Sequence, residues 1–285
     1  MERSRGGNRR RLAGAVLLFG VLVTVAALAP LLSPYDPVTP LDIVAMKHLP
    51  PSAAHPFGTD LFSRDVLSRV LYGARVSLGV GAIAALVAAT IGAVVGGVAG
   101  WKGGWVDSLT MRMVDVGLAL PRLLVLIAAI ALWGIPGPLG LAVLVGATGW
   151  FGTSRIVRTQ TRALRSREHV LAARAIGGTS LHVLARHVAP GVFPALLASV
   201  ILLSGQAIVL ETGLSYLGLG VRPPQPSWGS IMNDGIPFMG TAWWVSFFPG
   251  LAALVAVATV NTLGSALAAT SSFESGELTQ EQLHS

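Results

Sequence analysis

The 285 residues are 53% hydrophobic and only 12% charged, with 34 Gly, 17 Pro, no Cys and a formal net charge of +7. A soluble domain carries about 25% charged residues, so this balance excludes a disordered chain and argues against a soluble enzyme. Without cysteine there are no disulfides, thiolate metal sites or Cys nucleophiles. The chain reads as an all-α polytopic membrane protein.

A membrane-spanning helix needs about 20 mostly apolar residues. After a basic N-terminus, residues 1–11, the first candidate runs from Leu12 to Leu32. Ala27-Leu28-Ala29 resembles a signal cleavage site, but the run exceeds the roughly 7 to 15 residues of a signal core and Pro30 follows directly. An uncleaved anchor is the better reading. The second span extends from Val76 to about Gly100 without a charge. The third covers about Val114 to Leu132, and the fourth, weaker, Leu139 to about Thr153. The fifth covers Val192 to Leu210 and the sixth about Trp243 to Ala269. Some six spans put both termini on one side.

Basic residues sort the two sides. Arg3, Arg5, Arg9 to Arg11, Lys102, Arg112, Arg122 and the arginines from Arg155 to Arg186 fall on one side. Only Lys47, Arg64, Arg69, Arg75 and Arg222 fall on the other. The first side is therefore expected to be cytoplasmic, and the net charge then records sidedness rather than a nucleic-acid partner. The extracytoplasmic connections, 33–75 and 212–242, are proline-rich and expected to be ordered but irregular. They are suited to face a partner. Residues 270–285 read as a short disordered cytoplasmic tail.

The connection 154–191 is the most informative. Arg155, Arg158, Arg162 and Arg165 share one helical face and are expected mostly to snorkel to anionic lipid headgroups. Val170 to Ile176 forms a short helix, ended by Gly177-Gly178 in the left-handed region. Thr179 or Ser180 can cap the next helix, and Pro190 restricts its continuation. The small pair Ala172-Ala173 allows close approach of another protein. From spacing alone, docking and an ordinary helical loop are equally supported.

Ala172-Ala173, three residues, Gly177 and later Pro190 resemble the EAA-type loop of binding-protein-dependent ABC importer permeases. Where that pattern has Glu, this chain has Leu171, so a carboxylate contact is lost while helix, turn and apolar surface remain. His55 to Leu78, Gly103 to Val116 and Glu211 to Gly229 are similar to stretches of the dipeptide, oligopeptide and nickel permease group. The likeness covers nearly the whole chain and is strongest to the second permease subunit of that group. The C-terminal end departs from it, reading G-S-A-L-A-A-T-S-S-F-E. The resemblance implies the type I permease architecture and a five-helix permease core, 76–269. It also implies a second permease, two cytoplasmic ATPases docking on Leu171, Ala172, Ala173, Gly177, Gly178 and Pro190, and an extracytoplasmic solute-binding protein.

ATP hydrolysis needs a glycine-rich cradle with Lys followed by Ser or Thr. Lys47 precedes His48 and Lys102 precedes Gly103, so ATP and Mg belong to the partner ATPases and this chain is non-catalytic, with no cofactor of its own. Gly92, Gly96, Gly97 and Gly100 give G-x-x-x-G spacing twice, for helix packing or, with less support, lining of the path. Asp107 and Asp115 are expected to pair locally near Arg112. Glu211, at the extracytoplasmic rim, is a candidate path residue or a solvated helix end; Gln206 is a neutral candidate for the path or, like Asn261, for joining helices. His169, His182 and His187 lack a carboxylate cluster, so no metal site is expected. A proton- or ion-coupled secondary transporter is the alternative, but spans two and six hold no carboxylate or histidine for the coupling ion. An intramembrane hydrolase finds no nucleophile constellation.

Overall fold

The computed structural model describes residues 2–42, 44–134 and 136–281, with side chains described over 12–268 apart from 43 and 135. The elements are α1 (Glu2–Ala27), α2 (Ala29–Leu32), α3 (Val66–Lys102), α4 (Gly104–Ala119), α5 (Arg122–Trp133) and α6 (Pro138–Ala147). They continue with α7 (Trp150–Arg165), α8 (Glu168–Ala175), α9 (Ser180–Val183), α10 (Ala189–Tyr216), α11 (Trp228–Gly235) and α12 (Trp244–Glu281). Among the described residues there is no strand, only an isolated bridge between Thr59 and Asp65.

Among the described residues, three helices are long and apolar enough to cross a membrane: α3, the continuous run Ser180–Tyr216, and Trp244–Ala268. Two bent pairs raise the number to five, and Leu12–Ala27 is a shorter apolar helix. The break at Leu28 follows from Pro30, which sits at the start of α2 and cannot extend α1. The basic side chains of residues 1–11 lie outside those described.

The third and fourth spans are not the straight helices expected. α4 and α5 meet at 85°, and α6 and α7 at 47°. Pro121 explains the first bend: the residue before proline is barred from helical geometry, and Leu120 is extended at φ −80°, ψ 131°. At the second, the two residues Thr148 and Gly149 separate the end of α6 from the start of α7.

Helical structure also intrudes into the connections expected to be irregular. α3 begins at Val66, ten residues before the apolar run, because Asp65 accepts the Ser68 N–H at 2.7 Å as an N-cap. Charged Arg69 masked this turn in the sequence; it is buried in an ion-pair network rather than solvated. At the other connection α10 runs through Tyr216, and α11 starts at a Ser227/Ser230 capping box. Its prolines, at 223, 224, 226 and 237, lie outside both helices.

Pro190 does not end its helix. A π-helical turn, Leu184–Val188, precedes it and re-registers the backbone ladder, so α9 and α10 run on as one rod. The tail expected to be disordered from Ser271 continues as α12 to Glu281.

Packing has three centres. Trp228, Trp244, Ile231 and Val245 bind α1, α3, α11 and α12 at the proline-rich end. Ala84, Leu126, Leu141, Val145, Ala207 and Leu214 fill the middle. Val157, Val170, Ala173, Val183, Val188 and Val192 fill the arginine-bearing end. α3 and α7 are in close contact: a Cβ on Gly92 would stand 2.8 Å from Thr153 Cβ, and one on Gly96 2.3 Å from the Ser154 carbonyl oxygen. A Cβ on Gly100 would lie 2.7 Å from the Arg158 carbonyl oxygen, whereas one on Gly97 would meet open space. The smooth face is thus three glycines against α7, and Gly97 is not part of it.

Candidate functional site

The helix-turn-helix at the arginine-bearing end is built from local geometry. α8 closes with a paired turn: Gly178 N–H donates to the Ala173 carbonyl and Gly177 N–H to the Arg174 carbonyl, both at 3.1 Å. This Schellman arrangement requires a left-handed residue, and Gly177 supplies it at φ 90°. Gly178 is needed for closeness, since a Cβ there would lie 2.6 Å from the Ala173 oxygen. Thr179 then caps α9 by accepting the His182 N–H.

The two faces of this element differ. Val170, Ala173, Val183 and Val188 turn inward and, with Trp101 and Leu164, fix it to α3, α7 and α10. Arg174 lies over the Trp101 ring at 5.5 Å. Leu171, Ile176 and Leu181 turn outward, at 49%, 88% and 78% exposure. The Ala172-Ala173 pair is therefore split: Ala172 is exposed and Ala173 is buried. Only Ala172 is free for close approach, because consecutive helical residues point about 100° apart. Pro190 is exposed at the start of α10, behind the turn. Ile176 and Leu181 escaped the sequence reading, which had no means of telling an outward apolar side chain from a core one.

The arginines of α7 are not left to lipid. Arg158 Nε donates to Asp107 Oδ1 at 2.7 Å, Arg155 donates to Asp115, and Arg165 donates to the Trp101 carbonyl at 2.7 Å. Arg162 stands 3.8 Å from Asp107. These contacts tie α7 to α4 and α3, and they replace the local pairing of Asp107 and Asp115 with Arg112. The rings of His169 and His182 approach His187 to 6.5 and 6.4 Å. No group of three metal-ligating side chains is present among the described residues.

Glu211 is not a solvated helix end. It is fully buried, accepting from Ser77 Oγ and Ser215 Oγ at 2.7 Å each. Ser77 Oγ in turn accepts the Trp228 N–H at 3.3 Å. The carboxylate joins α3 and α10 directly and α11 through Ser77, with each of its oxygens accepting a hydrogen bond. Gln206 is exposed. It lines a cavity of about 330 Å³ with Arg122, Val209, Val257 and Asn261.

At the proline-rich end, Asp60 is fully buried between Arg69 at 2.5 Å and Arg64 at 2.8 Å, and both arginines reach Asp234 of α11. His55 Nδ1 lies 3.0 Å from Asp65 Oδ1. The connection is pinned to α3 and α11 by these charges, a role the sequence did not reveal because the partners lie 165 and 170 positions apart.

Residues 88–272 match the family described as binding-protein-dependent transport system inner membrane component. The chain is 40% identical over 261 residues to the dipeptide transport system permease protein DppC of Bacillus subtilis strain 168, covering 91% of this chain and 80% of that one. It is 35% identical over 263 residues to the oligopeptide transport system permease protein OppC of the same strain, covering 91% and 84%. It is 36% identical over 264 residues to the glutathione transport system permease protein GsiD of Escherichia coli O1:K1 / APEC, covering 91% and 86%. With two thirds of its length inside the matched family, and an all-helical fold carrying apolar spans, this chain belongs to the inner-membrane permease components of binding-protein-dependent ABC transport systems, which are non-catalytic subunits.

Proposed function

We propose that the chain is one of two permease subunits of an ATP-driven importer of short peptides. The relatives named for dipeptide, oligopeptide and glutathione transport support that cargo class. In this reading the arginine-bearing end is cytoplasmic, the proline-rich end meets a solute-binding protein, and separate ATPases hydrolyse ATP with Mg. The observation that carries it is the two-faced helix-turn-helix. Its inner face is locked to three helices, while Leu171, Ile176 and Leu181 project from the turn. Such an element can receive an ATPase and pass its movement to α7 and α10 as a rigid body.

The test is uptake by proteoliposomes holding this chain, its partner permease, the ATPases and the binding protein. Uptake of a labelled dipeptide should require ATP, stop with vanadate and ignore an ionophore; a secondary transporter would show the reverse. Labelled nickel complexes serve as the competing cargo. Gly177→Val should abolish uptake while membrane insertion persists, because a β-branched residue is strained at positive φ. Parental uptake by Gly177→Val would remove the coupling role.

A further inference from the structure

Arg122 was expected in a cytoplasmic connection, but the fold carries it into the middle of the bundle. Its guanidinium donates to the Val145 carbonyl and to Thr148 Oγ1. A Cβ on Gly149 would meet its Nη2 at 2.5 Å. That segment lies beside the centre of α3: a Cβ on Gly146 would lie 2.7 Å from the Ala84 oxygen, and one on Gly92 3.0 Å from the Trp150 oxygen. Ala84 to Gly92 is the middle of the uncharged run from Val76 to Gly100. A charge at that depth is costly unless it serves the protein.

Three independent features meet there. Both span breaks, at Pro121 and at Thr148-Gly149, fall beside this guanidinium. Irregular backbone at membrane depth is tolerated where it is buried or lines a cavity, and broken helices are how transporters aim helix ends at cargo. No carboxylate among the described residues pairs with Arg122; its two hydrogen bonds go to neutral oxygens. The cavity of about 330 Å³ opens against it, with Gln206 from α10 and Asn261 from α12 on its wall. Val209 and Val257 supply an apolar lining. A guanidinium with two side-chain amides presents only donors and neutral acceptors, and the N-terminus of α5 adds the positive end of a helix dipole.

We propose that Arg122, Gln206 and Asn261 form a transit site for the carboxylate of a short peptide inside the translocation path. The proposal rests on the peptide-importer reading above. Arg122 supplies the charge, and the two amides orient the carboxylate by hydrogen bonds from two neighbouring helices, α10 and α12.

The cysteine-free sequence allows a direct test. Asn261→Cys, and separately Gln206→Cys, is placed in the assembled transporter in nanodiscs. The thiol is modified with an anionic or a cationic methanethiosulfonate, each rate divided by that reagent's rate with free 2-mercaptoethanol. The normalised anionic-to-cationic ratio should exceed one by about tenfold, fall to near one when Arg122→Gln is added, and persist with Arg122→Lys. Dialanine should slow the modification, and dialanine amide should not. A ratio at or below one in either single-cysteine chain overturns the proposal, and this arm needs no change at Arg122. An unreactive thiol, a ratio unchanged by Arg122→Gln, or equal effects of dialanine and its amide overturn it too. Labelling needs neither ATP nor the binding protein, so failure of ATP-driven dialanine uptake would sink the importer reading separately.

Discussion

Asp107 and Arg158 form a two-point ion pair that ties α4 to α7, with Nε donating to Oδ1 at 2.7 Å and Nη2 donating to Oδ2. It sits where Gly100 brings α3 against the Arg158 backbone. The Asp107 side chain is 10% exposed and that of Arg158 27%, so solvent screens the pair only in part. Asp107→Asn should cost about 1 to 2 kcal/mol, seen as a lower melting temperature in detergent. The exchange Asp107→Arg with Arg158→Asp should recover part of the loss. No change on Asp107→Asn would show that the pair does not hold α4.

Gly96 and Gly97 are adjacent but face different surroundings. Gly96→Ala forces a Cβ to 2.3 Å from the Ser154 oxygen, which must push α3 and α7 apart, whereas Gly97→Ala enters open space. Overpacking of this kind costs about 1 to 3 kcal/mol. Thermal unfolding of the two variants should separate them, with Gly97→Ala at or slightly above the parent because alanine favours the helix.

Glu211 should matter to folding rather than to cargo. Glu211→Ala strips Ser77 and Ser215 of their shared acceptor at a fully buried point and should reduce the amount of folded protein. Glu211→Gln keeps one acceptor oxygen and should be milder. In molecules that fold, the KM for peptide uptake should match the parent; a large KM change would return Glu211 to the path.

The outward apolar residues of the helix-turn-helix can be changed without touching its base. Leu171→Asp and Leu181→Asp should leave yield and melting temperature unchanged, since both side chains are exposed. ATPase co-purification should fall by about tenfold or more, as loss of an apolar anchor in an interface does. Retained ATPase would place the docking surface elsewhere.

His48 gives the proline-rich connection a pH dependence. Its ring packs on Phe238 with centroids 4.4 Å apart, and burial, then the charge of Lys47, holds its pKa below the usual 6.5. As pH falls below 6.5 the unfolded chain takes up a proton before the folded one. The stability contributed by neutral His48 is therefore full above pH 6.5 and is lost as pH falls through the folded-state pKa. His48→Asn suits the positive φ of 51° and does not titrate. Its melting temperature should fall less than the parent's between about pH 7.5 and about pH 5.

What is local or cumulative could be read from the residues alone: the apolar runs, the segregation of arginines from prolines, the resemblance to a permease family and the turn at Gly177. Apolar periodicity and the cost of positive φ act within a few residues, so they can be read without a fold. Tertiary packing set the angles at which spans three and four bend, and it left Ala172 exposed while burying Ala173. It also decided that Asp107 answers Arg158 rather than Arg112, that Glu211 is buried against Ser77 and Ser215, and that Arg122 stands beside the stretch of α3 between Ala84 and Gly92. Burial and ionic partnership depend on which helices meet, and those encounters join residues dozens to well over a hundred positions apart along the chain.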